Sequence, residues 1–251
     1  MSIEITTCKK YSGEVQFGFT LAEVLITLGI IGVVAAITIP NLINNYKAKL
    51  LRTQFFKSYS VVAQTLKLMQ NDDISADPRD YTGDNYFREF AKYLNAPTIC
   101  SGRDYDGKKN SAPAGCYIYK IYTSDEDYAG EQYSYLTSKS KLNDGSFNNG
   151  EIMLTDGTLI FFDDGPIREG WKGVMVMVDI NGYKKGPNKL GYDFFAFEIL
   201  DGALYTIGDT ETSYKIKEKC DLDSKNLQGW QCGTLAKSDA DYFKKVVKKI
   251  K

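Results

Sequence analysis

The sequence predicts an α+β protein in which a long N-terminal helix packs on an antiparallel β-sheet. The first observation is an apolar run, FTLAEVLITLGIIGVVAAITI, at residues 19–39, after which apolar side chains keep a helical spacing to about Gln70. The second is a series of short runs rich in β-branched and aromatic residues in the second half of the chain. The third is a pair of Asp-Gly dipeptides, Asp156-Gly157 and Asp201-Gly202, between neighbouring runs, which is typical of β-hairpin turns.

The predicted helix has two parts. As a helix, residues 19–39 would span about 30 Å, the thickness of the apolar core of a bilayer. Residues 40–71 are predicted to continue it as an amphipathic helix that covers the sheet. Pro40 lacks a backbone donor and clashes with the carbonyl of Ala36, so we expect a kink or break there. The apolar positions that indicate the continuation are Leu42, Ile43, Tyr46, Leu50, Phe56, Tyr59, Val62 and Leu66.

Residues 72–251 are expected to form a β-rich ectodomain that contains disulfides. Two short helices are predicted in it, at residues 86–94 and near the C-terminus, the latter with Ser238 or Asp239 as its N-cap. The sheet is expected to be a meander of sequential antiparallel strands. The predicted strands are residues 117–122, 133–137, 151–154, 159–162, 174–180, 194–199 and 204–207.

Composition restricts the class of function. The 251 residues include 31 basic and 32 acidic side chains and no histidine. Without histidine the chain cannot form a Ser-His-Asp triad, and it lacks the commonest zinc ligand. No phosphate-binding glycine loop precedes a predicted helix. The sequence therefore predicts a protein that is not an enzyme.

Four of the five cysteines form two close pairs after the apolar run: Cys100 with Cys116 and Cys220 with Cys232. An even set in this position indicates disulfides that form in an oxidising compartment. Four cysteines allow three connectivities, of which nearest-neighbour pairing is the simplest. A zinc site is the alternative, although neither pair has the C-x-x-C spacing of a zinc knuckle.

Glu23 is a carboxylate inside the apolar run. Such a group is costly in hydrocarbon unless it is paired, so we expect a positive partner on a neighbouring copy of the chain. A secretory signal peptide cut after Val34-Ala35-Ala36 is an alternative, but it would carry Glu23 at the start of its apolar core. An uncut signal anchor oriented by Lys9 and Lys10 leaves Glu23 unexplained. A buried soluble helix disagrees with the charge-free run from residue 24 to residue 39.

The stretch Gly18-Phe19-Thr20-Leu21-Ala22-Glu23-Val24-Leu25, with the apolar run after it, resembles the type IV pilins and type II secretion pseudopilins. The resemblance implies that residues 1–18 are a leader peptide. It also implies that a prepilin peptidase cuts between Gly18 and Phe19 and methylates the new amino group of Phe19. Glu23 would pair with the N-terminal amine of a neighbouring subunit, and Pro40 falls where the family often carries a helix-perturbing proline. One departure is that Gln16-Phe17 replaces the basic residue that many members carry before the glycine.

These observations together indicate a structural subunit, major or minor, of a type II secretion pseudopilus or type IV pilus. The precursor would cross the cytoplasmic (inner) membrane once, with its ectodomain outside the cytoplasm, and would then enter a periplasmic or cell-surface filament. The resemblance implies several partners: identical or related pilin subunits, prepilin peptidase, the inner-membrane assembly platform, and membrane lipid before assembly.

An anchored ligand- or DNA-binding minor pilin is the alternative function. Its basis is the set of basic residues Lys184, Lys185 and Lys189, together with Lys244, Lys245, Lys248, Lys249 and Lys251 at the C-terminus. Aspartates lie between these lysines, which argues against a continuous basic surface. Nucleic acid is therefore not an expected partner.

The segment DINGYKKGPNKLGYD at residues 179–193 is a further motif. Asp179, Asn181 and Asp193 offer oxygen atoms of the kind that calcium prefers, although the spacing lacks the terminal Glu of an EF-hand loop. Asx side chains and glycines that shape a tight turn explain the same pattern. We therefore expect a turn and no cofactor, with calcium as the alternative.

Overall fold

The computed structural model describes residues 18–81, 85–101, 113, 115–117, 133–138, 140–142, 149–163, 172–213 and 219–250. Two units can be distinguished, Met1–Ile43 and Asn44–Lys251. The elements in chain order are α1 (Leu21–Asn71), α2 (Asn85–Lys92), β1 (Thr98–Ser101), β2 (Gly150–Met153), β3 (Leu159–Asp163), β4 (Val174–Asp179), β5 (Phe194–Leu200), β6 (Ala203–Thr206), α3 (Cys232–Ser238) and α4 (Tyr242–Lys249). Single 3-10 turns occupy Pro78–Asp80 and Tyr183–Lys185.

Helix α1 ends at Asn71, one residue beyond the predicted end. The helix is not broken at Pro40, which lies inside it. A proline removes only one backbone donor, and the turns on either side keep their own hydrogen bonds. Two residues before Pro40, the Thr38 hydroxyl donates to the carbonyl of Val34 at 2.9 Å.

The sheet is a six-stranded antiparallel meander in the order β1-β2-β3-β4-β5-β6, which confirms the predicted topology. Both predicted hairpin turns are present, between β2 and β3 and between β5 and β6. Gly157 and Gly202 have φ values of 89° and 73°, a region that glycine enters without steric cost.

Several predicted elements differ from the structure. Residues 133–137 form only isolated bridges, from Ser134 to Lys141 and Lys189, and not a strand. Of the strand predicted at residues 117–122, Tyr117 lies outside any strand and the rest lies outside the described residues. The C-terminal helix has Asp241 as its N-cap residue, not Ser238 or Asp239, because those positions end α3.

Both faces of the sheet are buried. Alternate residues of β3, β4 and β5, such as Ile160, Val176 and Phe197, belong to a core that includes α1, α2 and α4. Their neighbours Phe161, Met177 and Phe194 belong to a second core on the opposite face, rich in tyrosine and phenylalanine. The nearly continuous apolar runs of β4 and β5 are typical of strands that are covered on both sides, whereas the predicted helix would cover only one face of the sheet.

The second part of α1 packs on the sheet by a set of residues that overlaps only partly with the expected one. Val62 and Leu66 are buried as expected, and Phe56 and Tyr59 are partly buried against the core. Tyr46 is 68% exposed and Leu50 is 43% exposed, and Leu42 and Ile43 are also exposed. The side chain at the centre of the contact is Phe55, whose ring lies 4.7 Å from that of Phe195. The buried positions of α1 recur at intervals of three or four residues: Ala48, Leu51, Phe55, Ser58, Val62, Thr65, Leu66 and Met69.

The structure contains the two nearest-neighbour disulfides, Cys100–Cys116 and Cys220–Cys232. The first joins β1 to the segment before Tyr117, and the second joins the first turn of α3 to residue 220. Because all four sulfurs are bonded in pairs, none is a thiolate that binds zinc.

Candidate functional sites

The start of α1 carries the residues of the predicted cleavage and assembly site. Gly18 and Phe19 precede the helix, and Phe19 is 88% exposed. Thr20 and Glu23 form a capping box: the Thr20 N–H and hydroxyl both donate to Glu23 Oε2 at 2.8 Å, and the Glu23 N–H donates to Thr20 Oγ1 at 3.2 Å. The T-x-x-E spacing is a known signal for this arrangement, and the sequence analysis did not use it.

The capping box determines where the carboxylate of Glu23 lies. Both bonds from Thr20 fall on Oε2, so the carboxylate is held at the N-terminal end of the helix, where backbone N–H groups favour negative charge. Within the described residues, Oε1 has no hydrogen-bond partner. A carboxylate in this position is satisfied locally in a single chain and still offers one oxygen to a second partner.

The first unit has an extended apolar surface. Part of α1 is long and apolar enough to cross a membrane, and none of that part is buried within the chain. An exposed apolar surface of this size marks contact with lipid or with protein. The exposed residues are Phe19, Leu21, Val24, Leu25, Ile26, Leu28, Ile30, Ile31, Val33, Val34, Ile37, Ile39, Leu42 and Ile43.

Asp179 lies at the end of β4 and is fully buried. Its Oδ1 accepts hydrogen bonds from the N–H groups of Asn181 at 3.1 Å and Gly182 at 2.8 Å, which turns the chain away from the strand. Its Oδ2 accepts the hydroxyl proton of Tyr133 at 2.6 Å. Burial raises the pKa of Asp179 to about 7, and the nearby carboxylate of Asp193 adds to the effect.

Asp193 also accepts hydrogen bonds from the loop backbone, at the other end of the loop just before β5. Its Oδ1 accepts from the Lys189 N–H at 2.8 Å, and its Oδ2 accepts from the Asn188 N–H at 3.1 Å and from Asn181 Nδ2 at 3.4 Å. Burial raises the pKa of Asp193 to about 6. The structure therefore links Asp193 to Asn181 and connects both to the loop backbone.

The hydrogen bonds of this loop distinguish a tight turn from a calcium site. Every carboxylate oxygen of Asp179 and Asp193 already accepts at least one hydrogen bond from the protein. The side-chain oxygens of Asn181 and Asn188 are buried without a partner among the described residues. Two aspartates that each accept backbone N–H groups fit a hydrogen-bonded turn better than a calcium site, which needs six to eight oxygen atoms.

Among the described residues, three of the predicted lysines near the C-terminus are paired with aspartates, and Lys251 lies outside the described residues. Lys244 bonds to Asp241 at 2.9 Å and Lys245 bonds to Asp239 at 2.7 Å. Lys249 forms an ion pair with Asp223. Burial, together with nearby Lys141, lowers the pKa of Lys189. Lysines paired with aspartates neutralise little phosphate charge, so this end of the chain does not favour nucleic-acid binding.

A long N-terminal helix with an exposed apolar first part, joined to a unit in which its second part packs on an antiparallel sheet, defines the pilin-like class of membrane-anchored proteins. The chain is 32% identical over 154 residues to the type IV major fimbrial protein FimA of Dichelobacter nodosus. The aligned part covers 58% of this chain and 89% of FimA. A second FimA and a fimbrial protein of the same organism are each 31% identical over the same length.

The chain therefore belongs to the type IV pilin family. No family model matches it. No solved structure matches it either.

Proposed function

We propose that this protein is a structural subunit of a type IV pilus, made as a membrane-anchored precursor and assembled into a filament through α1. The observation that carries the proposal is the exposed apolar part of α1, with Glu23 at its start, in a member of the type IV pilin family. The relatives are described as major fimbrial proteins, which favours a pilus over a type II secretion pseudopilus.

Cleavage after Gly18 is the step that makes the subunit able to assemble. The cut frees the amine of Phe19, one residue before the capping box, and prepilin peptidase then methylates it. The positive amine pairs with Glu23 of the neighbouring subunit through the oxygen that Thr20 does not occupy. A buried charge is tolerated once it is paired, whereas the uncut precursor has no such amine to offer.

The apolar part of α1 has two successive environments in this mechanism. Before assembly it lies in the lipid of the inner membrane, with the assembly platform as its expected contact. After assembly it packs against the same part of neighbouring subunits, because an apolar helix surface that its own chain does not cover has to be covered by another molecule. Tyr46 and Leu50 are exposed in the second part of α1, and in the filament we expect neighbouring subunits to cover them as well.

The mature N-terminus tests the proposal. Membrane fractions and sheared surface fractions from the native host are analysed by mass spectrometry of the N-terminal peptide. We expect a chain that begins at N-methyl-Phe19 in both fractions. A start at Ile37 would identify an exported domain, and an uncut Met1 would identify a signal anchor; either result contradicts assembly as a pilin.

A further inference from the structure

Glu151 is a carboxylic acid buried beside the first disulfide. It lies on β2 and is 0% exposed. One carboxylate oxygen of Glu151 and the sulfurs of Cys100 and Cys116 all lie within 4.8 Å of one another. Because the two sulfurs are joined to each other, this group is a carboxyl next to a disulfide and not a metal site.

Contacts other than the disulfide bring each cysteine to Glu151. In the β1–β2 ladder, Ser101 is opposite Glu151, and the register shifts between Ile99 and Ser101, so that Cys100 lies in the bulge. On the other side, the N–H of Tyr117, the residue after Cys116, donates to Glu151 Oε1 at 2.6 Å. Neither the strand pairing nor this hydrogen bond is made by a sulfur atom, so both contacts favour the same juxtaposition in the reduced chain.

The second carboxylate oxygen of Glu151 does not hold the backbone of a cysteine segment as Oε1 does. Oε2 is buried without a hydrogen-bond partner among the described residues. Burial raises the pKa of Glu151, and the Asp179 carboxylate on β4 raises it further. Among the described residues, the hydroxyls of Tyr133 and Tyr183 also interact electrostatically with Glu151. An amide would accept the Tyr117 hydrogen bond equally well, so anchoring that backbone does not require an ionisable group.

We propose that Glu151 is the proton acceptor that promotes closure of the Cys100–Cys116 disulfide by an exported thiol oxidant carrying a reactive disulfide. The nucleophile in such a reaction is a thiolate, and a carboxylate with a raised pKa is a better base for a thiol than an exposed one. The proposal does not depend on the role of the protein in a filament.

The reaction has two steps. Cys116 first attacks the oxidant, forms a mixed disulfide with it and releases one oxidant thiol, which keeps the Cys116 proton. Glu151 then takes the proton of Cys100, the Cys100 thiolate attacks the sulfur of Cys116, and the bond from Cys116 to the oxidant breaks. The second oxidant sulfur leaves as a thiolate and is protonated from Glu151 or solvent. Two electrons pass from the cysteine pair to the oxidant, whose disulfide is reduced to two thiols.

The second disulfide provides a control within the same molecule. Glu151 lies close to both sulfurs of the first pair. Among the described residues, no carboxylate lies equally close to both sulfurs of Cys220 and Cys232. A change that acts through proton transfer at Glu151 therefore affects only one of the two disulfides, whereas a change that disturbs folding affects both.

The test follows the closure of each disulfide separately. The full chain with Cys8→Ser, in detergent, is reduced, freed of reductant and exposed to oxidised glutathione, and its remaining thiols are alkylated at intervals and quantified by peptide mass spectrometry. The variant Glu151→Gln keeps the size of the side chain and an acceptor for Tyr117. We expect it to close Cys100–Cys116 roughly tenfold or more slowly at about pH 6, with Cys220–Cys232 unchanged. The difference should narrow above about pH 8.5, where thiols ionise without help.

Equal rates for the variant and the unmodified chain would overturn the proposal, as would equal slowing of both disulfides. A second measurement needs no variant at residue 151. In the unmodified chain, the rate of Cys100–Cys116 closure should fall less steeply from about pH 8.5 to pH 6 than that of Cys220–Cys232, for which no carboxylate of the described residues is grouped with both sulfurs. Parallel pH profiles for the two pairs would also overturn it.

Discussion

The two parts of helix α1 both carry apolar side chains, but these side chains lie in opposite environments. Ile31, in the first part, is 63% exposed, whereas Phe55, in the second, is fully buried against Phe195, Phe197 and Phe243. Both parts are continuous α-helix. Apolar side chains that the chain buries itself stabilise its own fold, while those that it leaves exposed must be covered by lipid or by another subunit.

The largest expected effect comes from removing the central side chain of the buried part. We expect Phe55→Ala to lower the free energy of unfolding by about 3–5 kcal/mol, because the site loses a large ring and gains a cavity. The matched change Ile31→Ala should alter it by less than about 0.5 kcal/mol, since that side chain is 63% exposed among the described residues. Guanidinium unfolding of the full chain in detergent, followed by tryptophan fluorescence, measures both. Similar losses for the two variants would contradict the division of the helix into self-covered and exposed parts.

The next largest effect is expected from Glu23, the charged residue in the exposed part of α1. We expect Glu23→Ala to leave cleavage after Gly18 intact and to reduce the amount of sheared filament strongly, because the amine of the neighbouring subunit loses its partner. Glu23→Gln separates two explanations, since glutamine also serves in a capping box but carries no charge. Charge pairing predicts that both variants assemble poorly. Normal assembly of the glutamine variant would show that the cap, and not the charge, is what matters.

A smaller effect is expected in the loop between β4 and β5. The pKa values of Asp179 and Asp193 are raised from an ordinary value of 3.8 to about 7 and about 6. Between about pH 4 and pH 7 the folded chain therefore holds protons that the unfolded chain has released. The contribution of this pair to the free energy of unfolding then falls as pH rises through that window and is constant above it.

This dependence can be measured as proton release. At about pH 5, unfolding should release up to about two protons from this pair. In the variant Asp179→Asn the release should fall by about one proton, as measured by the pH slope of the free energy of unfolding. The same slope in both proteins would show that Asp179 is ionised in the folded chain at that pH.

The smallest effect is expected from calcium. If the loop is a hydrogen-bonded turn, millimolar calcium should leave the melting temperature of the full chain unchanged. A ligand at a hundred times its dissociation constant would add about 2.7 kcal/mol to the free energy of unfolding, so binding would raise the melting temperature measurably. An increase with calcium that is absent in Asp193→Asn would establish a metal site and overturn the turn interpretation.

Local signals predicted the elements that carry their own pattern. The Asp-Gly pairs identified two hairpins, and the apolar spacing after Pro40 identified the continuation of α1 to within one residue of its end. The prediction of the buried residues was only partly correct, because Val62 and Leu66 are buried whereas Tyr46 and Leu50, which share the same apolar spacing, are exposed. Amphipathicity indicates that a helix has an apolar face, but only a packing partner determines which side chains are covered.

Elements without a pattern of their own were missed. Strand β1 has the sequence TICS, too short and too polar to be recognised, and it forms because β2 offers a partner for its backbone. Helix α3 lacks apolar spacing and depends on contacts from distant parts of the chain. Arg52 donates to the carbonyls of Asp239 and Ala240 at its end, and a disulfide holds Cys232 at its start.

The sequence by itself determined the class of this protein: a glycine before an apolar run, a glutamate within it, paired cysteines and a β-rich second half. These features depend on residue type and local spacing. Only the tertiary structure decided which face of α1 is covered, that Asp179 and Asp193 bond to one loop, and that Glu151 lies beside Cys100 and Cys116. The physical reason is that these relations join residues far apart along the chain, and their distances are determined by sheet register and packing.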